Sequence, residues 1–165
     1  MKLELKHLAP YLPYGLKIEH PTMLVGKREI SELKNLGQTN IEISHRLYVQ
    51  ISDCKPILRP LSDLGKEISN QKTFLHKIAI DLGLLKDDNF IFEFKFSDYG
   101  DYGNKDSFSI ITPTNYNLIQ IPKKELPKSL SYQIFNQLVS EHFDVFGLID
   151  KGLAISIHDV EQVIA

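Results

Sequence analysis

Through residues 129–157, apolar side chains recur at steps of three and four: Leu130, Ile134, Phe135, Leu138, Val139, Phe143, Phe146, Ile149 and Leu153. That spacing lays one apolar stripe along an α-helix. It predicts a long C-terminal helix over 129–151, capped by Ser129, with Gly152 as the left-handed residue that ends it. A shorter central helix is predicted over 71–85, from Phe74, Leu75, Ile78, Leu82 and Leu85, with Thr73 or Asn70 as cap and Gly83 fraying its end. Residues 3–12 predict a short N-terminal helix limited by Pro10 and Pro13, with Leu5, Leu8 and Leu12 on its inner face.

Elsewhere the period drops to two. Residues 14–52 hold four short β-branched or aromatic runs separated by Gly, Asn, Pro or Ser. Ile41 and Ile43 alternate with Glu42, and Leu47, Val49 and Ile51 alternate with Tyr48 and Gln50. An antiparallel meander with one wet face is expected, with Ser44 and His45 as a tight connection. Residues 55–68 carry Pro56 and Pro60 and read as an ordered crossover with one helical turn at 62–68. Phe90, Phe92, Phe94 and Phe96 put one apolar face on a strand whose other face holds Ile91, Glu93 and Lys95. A loop over 97–106 leads to a return strand over 107–112, antiparallel to it. Residues 115–126 read as irregular or as an edge strand, 153–157 as a last strand and 159–165 as a fraying turn. The fold class expected is α+β: antiparallel sheet(s) with a long C-terminal helix and a shorter central helix packed on the sheet.

A length of 165 residues suits a single domain over 1–165. Nine Phe and seven Tyr supply large core side chains in the absence of Trp. The net charge of −2 is a poor footprint for a nonspecific nucleic-acid binder and too mild for wholesale mimicry of DNA. With Cys54 as the sole cysteine, an intramolecular disulfide and a multi-cysteine zinc site are excluded, and a reducing compartment is the natural setting. No apolar run reaches the roughly 18 residues that span a bilayer, and the N-terminus lacks a signal-peptide core. A cytoplasmic location in a host cell is expected.

Chemistry is thinly marked. His7, His20, His45, His76, His142 and His158 form no HxH, HExxH or HxxxH pattern. His142 and Asp144, two apart on a helix, would point away from each other, so a surface histidine is expected there. Cys54 reads as a buried or incidental thiol. No nucleophile elbow or phosphate-cradling glycine motif occurs. The expectation is therefore a protein that is not an enzyme and needs no cofactor or metal. The loop 97–106 is the first candidate for partner binding, through Asp98, Tyr99, Asp101, Tyr102 and Asp106. Aspartate and glycine are what a long hairpin turn uses, but tyrosines ringed by charge also suit an interface. The alternative binding set is basic: Lys55, Arg59, Lys123 and Lys124.

Three stretches, LAPYLPYGLK (8–17), KPILRPLSDL (55–64) and HFDVFGLIDKGLAI (142–155), together resemble a group of small uncharacterised proteins encoded by phages and prophages of Bacteroidetes bacteria. The segments are mostly apolar, so no active-site residues carry over. The resemblance implies a phage setting, and small phage proteins without catalytic motifs tend to be virion parts, replication accessories or inhibitors of host factors. As a class, anti-CRISPR proteins look like this: short, single-domain and free of motifs. The function implied is a phage-derived, non-enzymatic inhibitor that binds a host defence protein, foremost a CRISPR effector or its ribonucleoprotein, RNA- or DNA-targeting. A phage accessory protein that binds nucleic acid directly, or a virion or assembly component, is the alternative.

Overall fold

A computed structural model describes residues 2–22, 26–43, 47–69, 72–81, 107–110, 119–122 and 132–164. The chain divides into two compact units, Met1–Leu61 with Asn136–Ala165, and Ser62–Phe135. Among the described residues, no helix is long and apolar enough to cross a membrane.

The first unit opens with helix α1, Leu5–Leu8, which tightens at once into a 3₁₀ helix, Ala9–Tyr14. Pro10 sits at the start of the tighter helix, where its missing N–H costs nothing, and Gly15 ends it at φ 69°. Six strands then form one sheet: β1 (Lys17–Pro21), β2 (Arg28–Leu36), β3 (Asn40–Ile43), β4 (Leu47–Gln50), β5 (Lys55–Leu58) and β10 (Ile155–Ser156). Their order is β10-β5-β1-β2-β3-β4. Every pairing is antiparallel except β10 with β5. The architecture is thus α+β, on a mostly antiparallel mixed sheet.

The meander is the part that alternation foretold. Ile18 faces Ser31, Leu33 faces Ile43, and Ile41 faces Val49, so these side chains share the inner face. Glu19 opposite Ile30 and Glu42 opposite Tyr48 fall on the outer face. The register shifts between Leu33 and Asn35, and that irregularity returns Leu36 to the side of its partner Ile41. Leu8, Tyr11, Leu16, Ile18, Leu58 and Phe143 form the sealed centre of the core. Each such side chain contributes about 1.5–3 kcal/mol by leaving water.

Several expectations are corrected. The long C-terminal helix over 129–151 is not present: helix α3 covers Tyr132–Ser140. The apolar steps continue beyond it, but the backbone does not. His142 adopts φ 60°. The Phe143 amide then donates to the Leu138 carbonyl at 2.9 Å and the His142 amide to that of Val139 at 3.0 Å. Those two bonds are a Schellman closure, with a histidine in the position usually given to glycine. Phe143 and Leu138, both buried, are its apolar pair. The same pattern follows at once. Gly152 has φ 67°, its amide bonds Ile149 at 2.9 Å, and the Leu153 amide bonds Leu148 at 2.9 Å. Gly152 is left-handed as expected, but it closes a single turn. The expected cap Ser129 lies outside the described residues.

Residues 55–58 are not a crossover but an interior strand of the sheet. Proline has no N–H for the ladder, and Pro56 is nevertheless accommodated opposite Ile18. The inner face of the N-terminal helices is His7, Leu8 and Tyr11, with Leu3 buried just ahead of them and Leu5 exposed. A 3₁₀ turn of three residues puts Tyr11 directly in line with Leu8. The chain end is helix α4, Ile157–Ile164, rather than a fraying turn.

A 3₁₀ turn, Leu61–Gly65, leads from the first unit into the second, which contains a hairpin of β6 (Glu67–Ser69) with β7 (Lys72–Thr73), and helix α2 (Phe74–Asp81). Buried Asp63 pairs with Lys66 at 2.6 Å. Strand β8 (Ser107–Ile110) falls inside the expected return strand, and β9 (Ile119–Pro122) inside the stretch 115–126 that read as irregular or as an edge strand. The two pair antiparallel with each other. The expected strand over 90–96, the cap at Asn70, the turn at Ser44 and His45, and the end of the central helix at Leu82, Gly83 and Leu85 lie outside the described residues.

Candidate interaction surface

Of the residues singled out for binding, Asp98, Tyr99, Asp101, Tyr102 and Asp106 lie outside the described residues, as do Lys123 and Lys124. Lys55 is exposed on the outer face of the sheet, opposite Glu19. Arg59 does not stand beside it as a second free cation. Its guanidinium carbon lies 5.9 Å from the centre of the Phe143 ring, a cation–π contact on a buried aromatic.

Two different assemblies emerge. One is the outer face of the sheet, where Lys17 opposes Glu32, Glu19 opposes both Ile30 and Lys55, and Glu42 opposes Tyr48. Arg28 Nε donates to Glu19 Oε2 at 2.6 Å, and Arg28 Nη2 donates to the Asp53 carbonyl at 2.8 Å. Lys34 pairs with Glu32 at 2.7 Å. Tyr48 is 59% exposed and Ile30 42% exposed within this charged field. Tyr48 stands on β4, which ends the sheet among the described residues. Composition gave no sign of it, because Tyr48 reads simply as the polar half of an alternating strand.

The other assembly joins the stretches 8–17, 55–64 and 142–155. The Tyr11 hydroxyl donates to the Phe143 carbonyl at 2.6 Å. His142 Nε2 bonds the Tyr14 carbonyl at 2.8 Å, so that nitrogen carries the proton. The Arg59 amide donates to the His142 carbonyl at 2.8 Å, and the Asp144 amide returns to the Arg59 carbonyl at 2.9 Å. Asp144 is 4% exposed and spends both oxygens on the amides of Leu148 and Ile149, each at 2.8 Å. Burial pushes its carboxyl above the ordinary range against the pull of those two bonds. The expected surface histidine at position 142 is therefore half-buried and engaged. Burial likewise raises the Tyr11 hydroxyl well above its ordinary range.

His20 forms a third buried polar contact. Its Nδ1 lies 2.9 Å from the Pro21 carbonyl and so holds the proton, leaving Nε2 to accept from the Ser31 hydroxyl at 3.0 Å. The order carbonyl, imidazole, hydroxyl is that of a serine with its base. Here the imidazole is sealed in the core, and both nitrogens are satisfied, so the contact is structural. Cys54 is buried as expected; its thiol donates to the Gln50 carbonyl at 3.2 Å, and burial pushes it up to about 11.

No family model, no curated protein and no solved structure matches the chain.

Proposed function

We propose that the chain is a phage-derived protein-binding module that inhibits a host defence protein by stoichiometric occlusion, with a CRISPR effector as the leading partner. The phage setting rests on the resemblance of the three stretches at 8–17, 55–64 and 142–155. The observation that carries a binding role is Tyr48, a largely exposed aromatic fixed on a strand opposite the carboxylate of Glu42. Tyrosine offers wide contact area for the loss of few rotamers, and such anchors dominate interfaces. The ion pairs Arg28–Glu19 and Lys34–Glu32, farther along the same outer face, offer a polar rim. The loop residues Asp98, Tyr99, Asp101, Tyr102 and Asp106 remain a proposed second contact.

The test is titration calorimetry of the purified chain against CRISPR effectors, with and without guide RNA, beside a target-cleavage assay. The reading requires saturable binding of fixed stoichiometry and loss of cleavage. Tyr48→Ala should weaken binding at an unchanged melting temperature, as should the pair Tyr99→Ala and Tyr102→Ala if the loop takes part. Absence of binding to every effector overturns the partner. Full inhibition by the Tyr48→Ala variant overturns the surface.

A further inference from the structure

We propose that residues 3–14 are a proton-released clasp: the segment is held on the C-terminal turns while His7 and His142 are neutral, and it lifts when both take up a proton. The hold is built from a few localised contacts. His7 is 2% exposed, its ring meets Phe146 edge to face at 5.4 Å, and the Tyr11 ring meets the same phenylalanine at 6.3 Å. The Tyr11 hydroxyl and the Tyr14 carbonyl complete the hold, on Phe143 and His142 respectively.

His7 is neutral by geometry, and half-burial beside Arg59 and Lys17 disfavours a second proton on His142. The Glu4 amide donates to His7 Nδ1 at 3.1 Å, so Nδ1 is an acceptor and a proton there would break the bond that starts α1. The charged groups around His7 are Lys6 and Glu4 on its own side, paired at 2.7 Å, and Lys151 on the facing turns, whose ammonium donates to the Phe146 carbonyl at 2.6 Å. Asp144, buried beneath Tyr11, is committed to the Leu148 and Ile149 amides. Around His142, Arg59 and Lys17 oppose a proton, while Glu141 and the Tyr14 carbonyl favour one. Burial is the largest influence at both rings and holds each below the ordinary histidine range.

The direction follows from linkage. A base whose affinity for protons is lowered by burial contributes its full stability above the ordinary value near 6.5. That contribution falls as pH drops through the window between 6.5 and the depressed value. A lifted segment binds two more protons than a seated one. In that window the opening constant should therefore rise up to about a hundredfold per pH unit, about tenfold for each histidine.

Hydrogen exchange of the full chain from pH 7 to pH 5, corrected for intrinsic rates, reads this directly. Peptides from 3–14 should lose protection steeply relative to peptides from β2. His7→Gln keeps an acceptor for the Glu4 amide but cannot titrate, and His142→Asn suits the left-handed backbone. Each should halve the logarithmic slope, and the double variant should flatten it. A ratio that does not change with pH, equal loss in both regions, or a steep slope in the double variant overturns the proposal. Proton-resonance titration of the imidazoles in the unmutated chain is an independent check. Values at or above 6.5 for His7 and His142 would also overturn it.

Discussion

The Tyr11 hydroxyl reaches the Phe143 carbonyl at 2.6 Å across 132 positions of sequence, and both residues are sealed from solvent. That bond fixes the N-terminal 3₁₀ helix to the turn that follows α3. Tyr11→Phe removes the donor and leaves the Phe143 carbonyl to the Val145 amide, which donates to it at 2.9 Å. With that partner retained, the loss should be that of one hydrogen bond, about 0.5–1.5 kcal/mol in chemical denaturation. An unchanged midpoint would show that the hydroxyl bond contributes nothing net.

Phe143→Ala should cost about 3–5 kcal/mol, because the ring is fully enclosed by the core. Phe135 is only half-buried, so Phe135→Ala should cost clearly less. The order of the two melting temperatures checks the assignment; the reverse order contradicts it.

Periodicity placed Phe143 in the core correctly while misplacing the backbone that carries it. Apolar spacing reports which side of the chain is inward, and two successive left-handed turns preserve that spacing. The helix stop was hidden because His142, not a glycine, takes the left-handed position. Pro56 concealed β5 in the same way, since proline inside a run argues against an interior strand. Strands β3 and β4 were legible because Glu42 and Tyr48 interrupt their apolar neighbours at a strict period of two. Of the candidate binding residues, Lys55 stands exposed, as a solvated lysine should. Arg59 folds onto Phe143, a contact between positions far apart in sequence that no local pattern encodes.

Asp144 acts as a cap within the turns. Asp144→Ala should cost about 1–3 kcal/mol by stranding the Leu148 and Ile149 amides. Asp144→Asn, which keeps one acceptor, should cost less. Because burial raises this carboxyl above 3.8, the folded chain holds its proton more tightly than the unfolded one. Its contribution to stability is therefore greatest below 3.8 and lost as pH rises through the folded value. The stability gap between the parent chain and Asp144→Asn should widen from pH 7 to pH 4; a narrowing gap would reverse the sign.

Gly147 has φ 62°, a backbone angle that an L side chain resists. Gly147→Ala should cost about 1–2 kcal/mol. Gly65 carries no positive φ and has open space where a Cβ would stand. Gly65→Ala should stay within about 0.5 kcal/mol. Parallel thermal melts decide; equal losses would refute the backbone argument.

The Cys54 thiol, buried and pushed up to about 11, should resist maleimide in the native chain at pH 8. Labelling should become fast only in denaturant. Rapid modification of the native chain would place the thiol at the surface.

The first unit is discontinuous: residues 1–61 are completed by residues 136–165 after the chain has passed through the second unit. Strand β5 gains its second neighbour, and the Arg59 backbone its bridge to Phe143, only from that late segment. During synthesis, β1 through β4 can pair by local hairpins as they leave the ribosome. Leu8, Tyr11 and Leu58 must wait for the final stretch before they are sealed. A nascent chain stalled before residue 136 would present those side chains to chaperones and proteases, so a premature stop anywhere in the second unit should also deprive the first of its fold.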